Sequence, residues 1–260
     1  MPLEFCTVAR EGRLTIVTLN RPQVMNALHP PAHRELSAVF DDFAADAEQW
    51  VAIVTGMGER AFCTGSDLKY IASGASNERP SSGFCGLTAR FDLDKPVIAA
   101  VNGAAMGGGF ETALACDLIV ASDNAVFALP EPRVGLAAFA GGVHRLPRQI
   151  GLKQAMGLIL TGRRIDAREA LAMGIVNEVV PQDELMEAAR KWAGWILECS
   201  PMAVRASKAA AMRGLGEPTL EAALGAQGDY ATVKAWKGSE DYLEGPRAFA
   251  EKRKPEWKGR

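Results

Sequence analysis

The chain has few of the residues that build metal sites or disulfide frameworks. Its 260 residues contain five cysteines (Cys6, Cys63, Cys85, Cys116 and Cys199) and no C-x-x-C pair. An odd number at such spacing supports neither a zinc ribbon nor a set of bridges, and reduced thiols are expected. Histidine is scarcer still. His29 and His33 flank Pro30-Pro31 without a glutamate, so no zinc helix is expected, and His144 stands alone. All three are read as surface or capping residues. No apolar run reaches eighteen residues, which excludes a spanning helix. The opening MPLEFCTVAREGRL lacks the apolar segment of a signal peptide, and no Asn-x-Ser/Thr site occurs. The net charge is only −2, so no excess of one sign draws the chain to nucleic acid or an anionic membrane. The expectation is a cytoplasmic protein with no nucleic-acid, membrane or metal partner.

Against that background, two glutamates stand out. Glu111 lies in NGAAMGGGFETALACDLIVAS and Glu131 in AVFALPEPRVGLAAFAGG. Both are set among small and apolar residues, where burial raises a carboxyl pKa. Two such groups converging on one pocket can supply an acid and a base at neutral pH. Gly107 to Gly109 precede the first of them. They open a helix after a buried strand, where free N–H groups and a partial positive charge can hold an oxyanion. Close packing of helix on strand explains the same glycines equally well. Thr112 stands where a dinucleotide fingerprint needs its third glycine.

A second loop, AFCTGSDLKY (Ala61 to Tyr70), follows the run WVAIVT. Gly65 permits a tight turn that exposes the Ser66 N–H as a second donor. No G-x-S-x-G surrounds Ser66, which argues for its backbone rather than its hydroxyl. An ordinary β–α loop is the competing reading. Phe84, Met106, Phe110, Leu136 and Phe139 are candidate pocket walls, and the basic tail Lys252 to Lys254 reads as a solvated end.

The pattern is α/β. A hairpin is expected at Glu11-Gly12 and a helix over Pro30–Gln49. Buried strands are expected at Trp50–Thr55 and Pro96–Val101, a helix at Gly109–Cys116, and strands at Asp117–Ala121 and Ala125–Leu129. Helices at Leu152–Leu160 and Ala167–Met173 and a strand at Ile175–Val180 follow. Beyond Gln182 only helices are expected: Asp183–Glu198, Pro201–Arg213 and Leu220–Lys237. The chain is accordingly divided into a catalytic core, 1–200, and a helical region, 201–260. The segment Ser73–Gly83 is expected to be a loop.

The runs LNRPQVMNAL, AFCTGSDLK, PVIAAVNGAAMGGGFETALACDLIVAS, FALPEPRVGL, GGVHRLPRQIG and GPRAFAEKRKPEWKG resemble, in order, the motifs of the crotonase superfamily of enoyl-CoA hydratases and isomerases. The resemblance covers essentially the whole chain. It implies a spiral of β-β-α repeats, a helical C-terminal region that builds homotrimers, and pairing of trimers into hexamers. It also implies an acyl-CoA substrate and no separate cofactor, coenzyme A being part of the substrate. By the same resemblance, the oxyanion donors fall on the Ser66 and Gly108 N–H groups and the acid/base pair on Glu111 and Glu131. The coenzyme channel falls on Val24, Ala27, Thr64, Ser66, Asp67 and Leu68. Ser66 stands where alanine is most common, Leu129 where glutamine often is, and His144 where threonine or glutamine often is. With both glutamates present, the expected activity is hydration of a 2-enoyl-CoA across its 2,3 bond. Alternatives are a carnitinyl-CoA-type dehydratase, an isomerase, an aromatic enoyl-CoA hydratase-lyase or a silent acyl-CoA-binding scaffold.

Overall fold

The fold is taken from a computed structural model that describes residues 3–76 and 78–260. The hairpin forms as expected: β1 (Cys6–Glu11) pairs antiparallel with β2 (Leu14–Leu19), and Gly12 supplies the positive φ of the turn. Helix α1 (Pro30–Ala45) follows. His29 caps it, its Nδ1 accepting the Ala32 N–H at 3.3 Å, and two prolines occupy the first turn, where no N–H partner is required. The helix stops four residues before the expected Gln49. Asp46 is extended, and the Lys95 ammonium donates to the carbonyls of Phe43 (2.7 Å) and Asp46 (2.6 Å). That cation satisfies carbonyls the helix end leaves open.

Three turns of chain then repeat one plan. Strand β3 (Val51–Gly56) is followed by β4 (Ala61–Cys63) and α2 (Leu68–Ala72). Next come β5 (Val97–Val101), β6 (Ala104–Met106) and α3 (Gly108–Ala115). The third turn is β7 (Leu118–Ser122), β8 (Val126–Ala128) and α4 (Gly142–Gln149). The first strand of each turn joins a six-stranded sheet and the second joins a smaller four-stranded sheet. The result is the expected spiral. Helix α5 (Leu152–Thr161), strand β9 (Ile165–Asp166), helix α6 (Ala167–Ala172) and strand β10 (Glu178–Val180) complete the two sheets. Their orders are β1-β2-β3-β5-β7-β10 and β4-β6-β8-β9, parallel except at β1 and β9.

The large sheet is covered on both faces, which is why β3 and β5 read as continuous apolar runs. Ala52, Val54, Val97, Ala99 and Val101 point into the main core, shared with α1 and the small sheet. Val51, Ile53, Ile98 and Ala100 point the other way, under α7 (Leu185–Leu197). Each fully buried Val or Ile there contributes about 1.5–3 kcal/mol of transfer free energy.

Helices α8 (Pro201–Gly214), α9 (Leu220–Ala226), α10 (Ala231–Lys237) and α11 (Glu240–Ala250) form the C-terminal part. Several expectations change here and upstream. The helix expected over Leu220–Lys237 is interrupted at Gln227–Tyr230, where Tyr230 is extended. Helix α11 escapes sequence reading because Gly245-Pro246 mimics a breaker, and α4 because of Pro147. The strand expected from Ile175 begins only at Glu178. The strands β4, β6 and β9 are too short for a period to show. Of the loop expected at Ser73–Gly83, residue 77 lies outside the described residues. No described helix is long and apolar enough to cross a membrane.

Candidate active site

The site forms where the second and third turns of the spiral meet the first. Glu111 lies in the first turn of α3, buried to 3% exposure. Its Oε1 accepts the N–H of Gly142, at the start of α4, at 2.8 Å. Burial pushes the Glu111 carboxyl up to about 7; the Gly142 N–H pulls it back, and Glu131 nearby pushes it up again. Glu131 opens the short helical turn Glu131–Val134 after β8. Its carboxyl is also raised by burial, and its Oε2 is enclosed with no partner among the described residues. The chain passes Glu131 at Gly107, whose φ is +53°; a Cβ there would sit 2.7 Å from Glu131 Oε1. Glycine is required at 107 for both reasons. The structure thus brings together the two glutamates singled out in the sequence.

Ser66 and Gly108 converge on the same place. Gly65 has φ +90°, and a Cβ on it would lie 3.2 Å from the Gly108 nitrogen, so the 64–66 loop rests directly on the start of α3. Among the described residues, neither the Ser66 N–H nor the Gly108 N–H has an acceptor. Two free donors at adjoining backbone turns, one at a helix start, suit a developing oxyanion.

The residues expected to line a coenzyme channel occupy two adjoining loops. Leu28 and Ser66 form a parallel bridge, and the Thr64 N–H donates to Met25 O at 3.2 Å. Val24 and Ala27 lie on the first loop and Asp67 on the second. Asp67 pairs with Arg21 at 3.0 Å, and Leu68 is half exposed. Met25 and Asn26 both take left-handed conformations; the buried Asn26 amide donates to Met57 O and Ala61 O and holds the turn.

Other expectations shift. Phe84 is fully buried with its ring against Gly108, but Phe110 turns into the core beside Phe127 at 5.3 Å. Leu136 and Phe139 are exposed. His33 is not a surface residue: it is buried, its pKa is pushed down to about 3 by burial, its ring packs tilted against Phe84 at 4.4 Å, and its Nδ1 accepts the Cys85 N–H at 3.2 Å. Arg253, in the basic tail, is held by Glu244 and Glu251. Sequence reading also missed the clamp from Gly142. Gly141-Gly142 was visible in the sequence, but nothing local links it to a side chain 31 residues earlier. Among the described residues, no cluster of three His, Cys, Asp or Glu is arranged to hold a metal. A cavity of about 400 Å³ lined by Gly56, Asn102, Gln182 and Met186 lies away from the glutamates.

Comparison with known proteins bears on the family and the fold. The family model described as enoyl-CoA hydratase/isomerase matches residues 9–260. The chain belongs to that family. It is 47% identical over 258 residues to a carnitinyl-CoA dehydratase of Citrobacter koseri, covering 96% of this chain and 97% of that one. An enoyl-CoA hydratase structure from Mycobacterium tuberculosis H37Rv superposes with a TM-score of 0.92 at 38% identity, covering 98% of this chain and 99% of that one. A carnitinyl-CoA hydratase structure from Mycobacterium avium covers both chains fully, with a TM-score of 0.79 at 40% identity. Family and fold therefore both match the resemblance read from the motifs.

Proposed function

We propose that the protein hydrates a 2-enoyl-CoA thioester across its 2,3 double bond, reversibly. The observation that carries this reading is one buried and one half-buried glutamate carboxyl beside two N–H donors that have no acceptor among the described residues. In this reading the thioester oxygen accepts from the Ser66 and Gly108 N–H groups. The Glu111 carboxylate takes a proton from water as the oxygen adds to Cβ. The Glu131 carboxyl gives its proton to Cα. One proton passes through the pair per turnover, and exchange with solvent restores the start. A lost oxyanion donor typically costs about 100- to 1,000-fold in kcat. Coenzyme A would lie along the loops carrying Val24, Ala27, Thr64, Ser66, Asp67 and Leu68. No redox or metal group enters the scheme.

The reverse direction is a second reading, and relatives named carnitinyl-CoA dehydratase favour it. Glu111 is the more deeply buried glutamate, and its carboxyl is raised to about 7. In dehydration Glu131 removes the Cα proton, and a protonated Glu111 delivers its proton to the departing hydroxyl.

The test is to follow the enoyl-thioester absorbance on adding crotonyl-CoA, and its appearance from 3-hydroxybutyryl-CoA. No change in either direction, with folded protein, would refute both readings.

A further inference from the structure

A cation stands at the rim of the site, outside the machinery described above. Arg79 Nη2 lies 3.5 Å from the Ser66 hydroxyl, on the loop that carries the first N–H donor. Its guanidinium lies 5.3 Å from the centre of the Phe84 ring. That ring in turn covers Gly108, the second donor. Arg79 therefore touches the Ser66 side of the proposed oxyanion site, and the ring that covers its Gly108 side, without supplying either donor. Among the described residues, no carboxylate pairs with it, unlike Arg21, Arg90, Arg163, Arg190 and Arg253. Its charge is felt inside the site, where it draws the Glu111 carboxyl down and opposes charging of His33.

The Phe84 ring has a polar neighbour on another side as well. His33 accepts at Nδ1 from Cys85, so its ring proton resides on Nε2, which is buried and has no partner among the described residues. An unpaired guanidinium suits an anionic oxygen and opposes a second cation.

We infer that Arg79 sorts substrates by the charge at the far end of the acyl group, favouring a carboxylate and disfavouring a quaternary ammonium. The inference rests on the acyl-CoA reading of the site. The glutamates act at Cα and Cβ, which all 2-enoyl thioesters share; Arg79 acts on the part that varies. The preference would separate this chain from relatives whose names denote a trimethylammonium-bearing acyl group.

Three thioesters test it: crotonyl-CoA, glutaconyl-CoA with a terminal carboxylate, and crotonobetainyl-CoA with a terminal trimethylammonium. The wild-type kcat/KM should fall in the order glutaconyl, crotonyl, crotonobetainyl, with about fivefold per step, the upper end for an exposed charge pair. Arg79→Gln should collapse that order, each rate being compared with crotonyl-CoA in the same variant. Arg79→Lys should preserve it, and Arg79→Glu should invert it. Raised salt should flatten the wild-type order. Binding of the saturated analogues, measured by calorimetry, gives the same order without turnover, so failure of hydration and failure of charge sorting are separate results. A wild-type preference for the ammonium substrate overturns the inference. Equal losses on all three thioesters in Arg79→Gln also overturn it, because they assign Arg79 to the coenzyme phosphates, which all three share.

Discussion

The Gly142 N–H donates to Glu111 Oε1 at 2.8 Å, so a helix start 31 residues away aims the carboxylate of another helix. Glycine has a steric role there too. A Cβ on Gly142 would lie 3.1 Å from both Glu111 Oε1 and Leu129 Cδ1, tight enough to displace the carboxylate by a few tenths of an ångström. Gly142→Ala is expected to keep the fold and lower kcat by about 10- to 100-fold, the scale of sub-ångström misplacement. Steady-state rates with circular dichroism as control decide this; an unchanged kcat would show that Glu111 position is not limiting.

Glu111→Gln and Glu131→Gln should each lower turnover by about 100- to 10,000-fold, the usual contribution of a positioned acid or base. Wild-type rates in either variant, on crotonyl-CoA and the best substrate from an acyl-chain screen, would remove that glutamate from the mechanism.

Stability should respond to pH in the opposite sense to activity. Glu111 has a folded pKa raised from 4.5 to about 7. Such a group supports the fold fully below pH 4.5, and that support is lost as pH rises through 7. The loss at pH 8 is on the order of 3 kcal/mol. Glu111→Gln should therefore melt above wild type at pH 8 and show little difference at pH 4.5. A parallel offset at both pH values would mean that the Glu111 carboxyl is not raised.

Ser66→Ala should be nearly neutral, because the proposed donor is the backbone N–H, whereas Gly108→Pro should abolish turnover by deleting one. A loss beyond about 100-fold in folded Ser66→Ala would give the hydroxyl a part in the reaction, on the scale of a lost oxyanion donor.

Helices α9 and α11 expose Leu220, Leu224, Leu243 and Phe249, with Leu215 nearby. We propose that these side chains are covered in the trimer or hexamer that the family resemblance implies. Light scattering should give three or six times the chain mass. Truncation after residue 200 should yield dissociated, poorly soluble protein. A monomer at micromolar concentration would overturn the assembly proposal.

The sequence was most legible where burial makes it repetitive. Strands β3 and β5 read directly because both faces are covered, and the Glu111 and Glu131 frames read because glycine and proline punctuate them. Strands β4, β6 and β9, of two or three residues, carry no period and are fixed only by tertiary pairing. Pro147 and Pro246 conceal helices whose remaining turns are stabilised by packing. His33 was misread because its burial depends on Phe84 and Cys85, some fifty residues away. The Gly142 clamp was hidden for the same reason, being a contact between two turns of the spiral.

The contact of Gly65 with the start of α3 couples neighbouring coils of the chain. Each N–H donor belongs to a different coil, so the gap between them is set by how closely those coils stack and by no single loop. A bulkier residue at 65 would open that gap like a spacer between washers, and the oxygen would then reach one donor at a time.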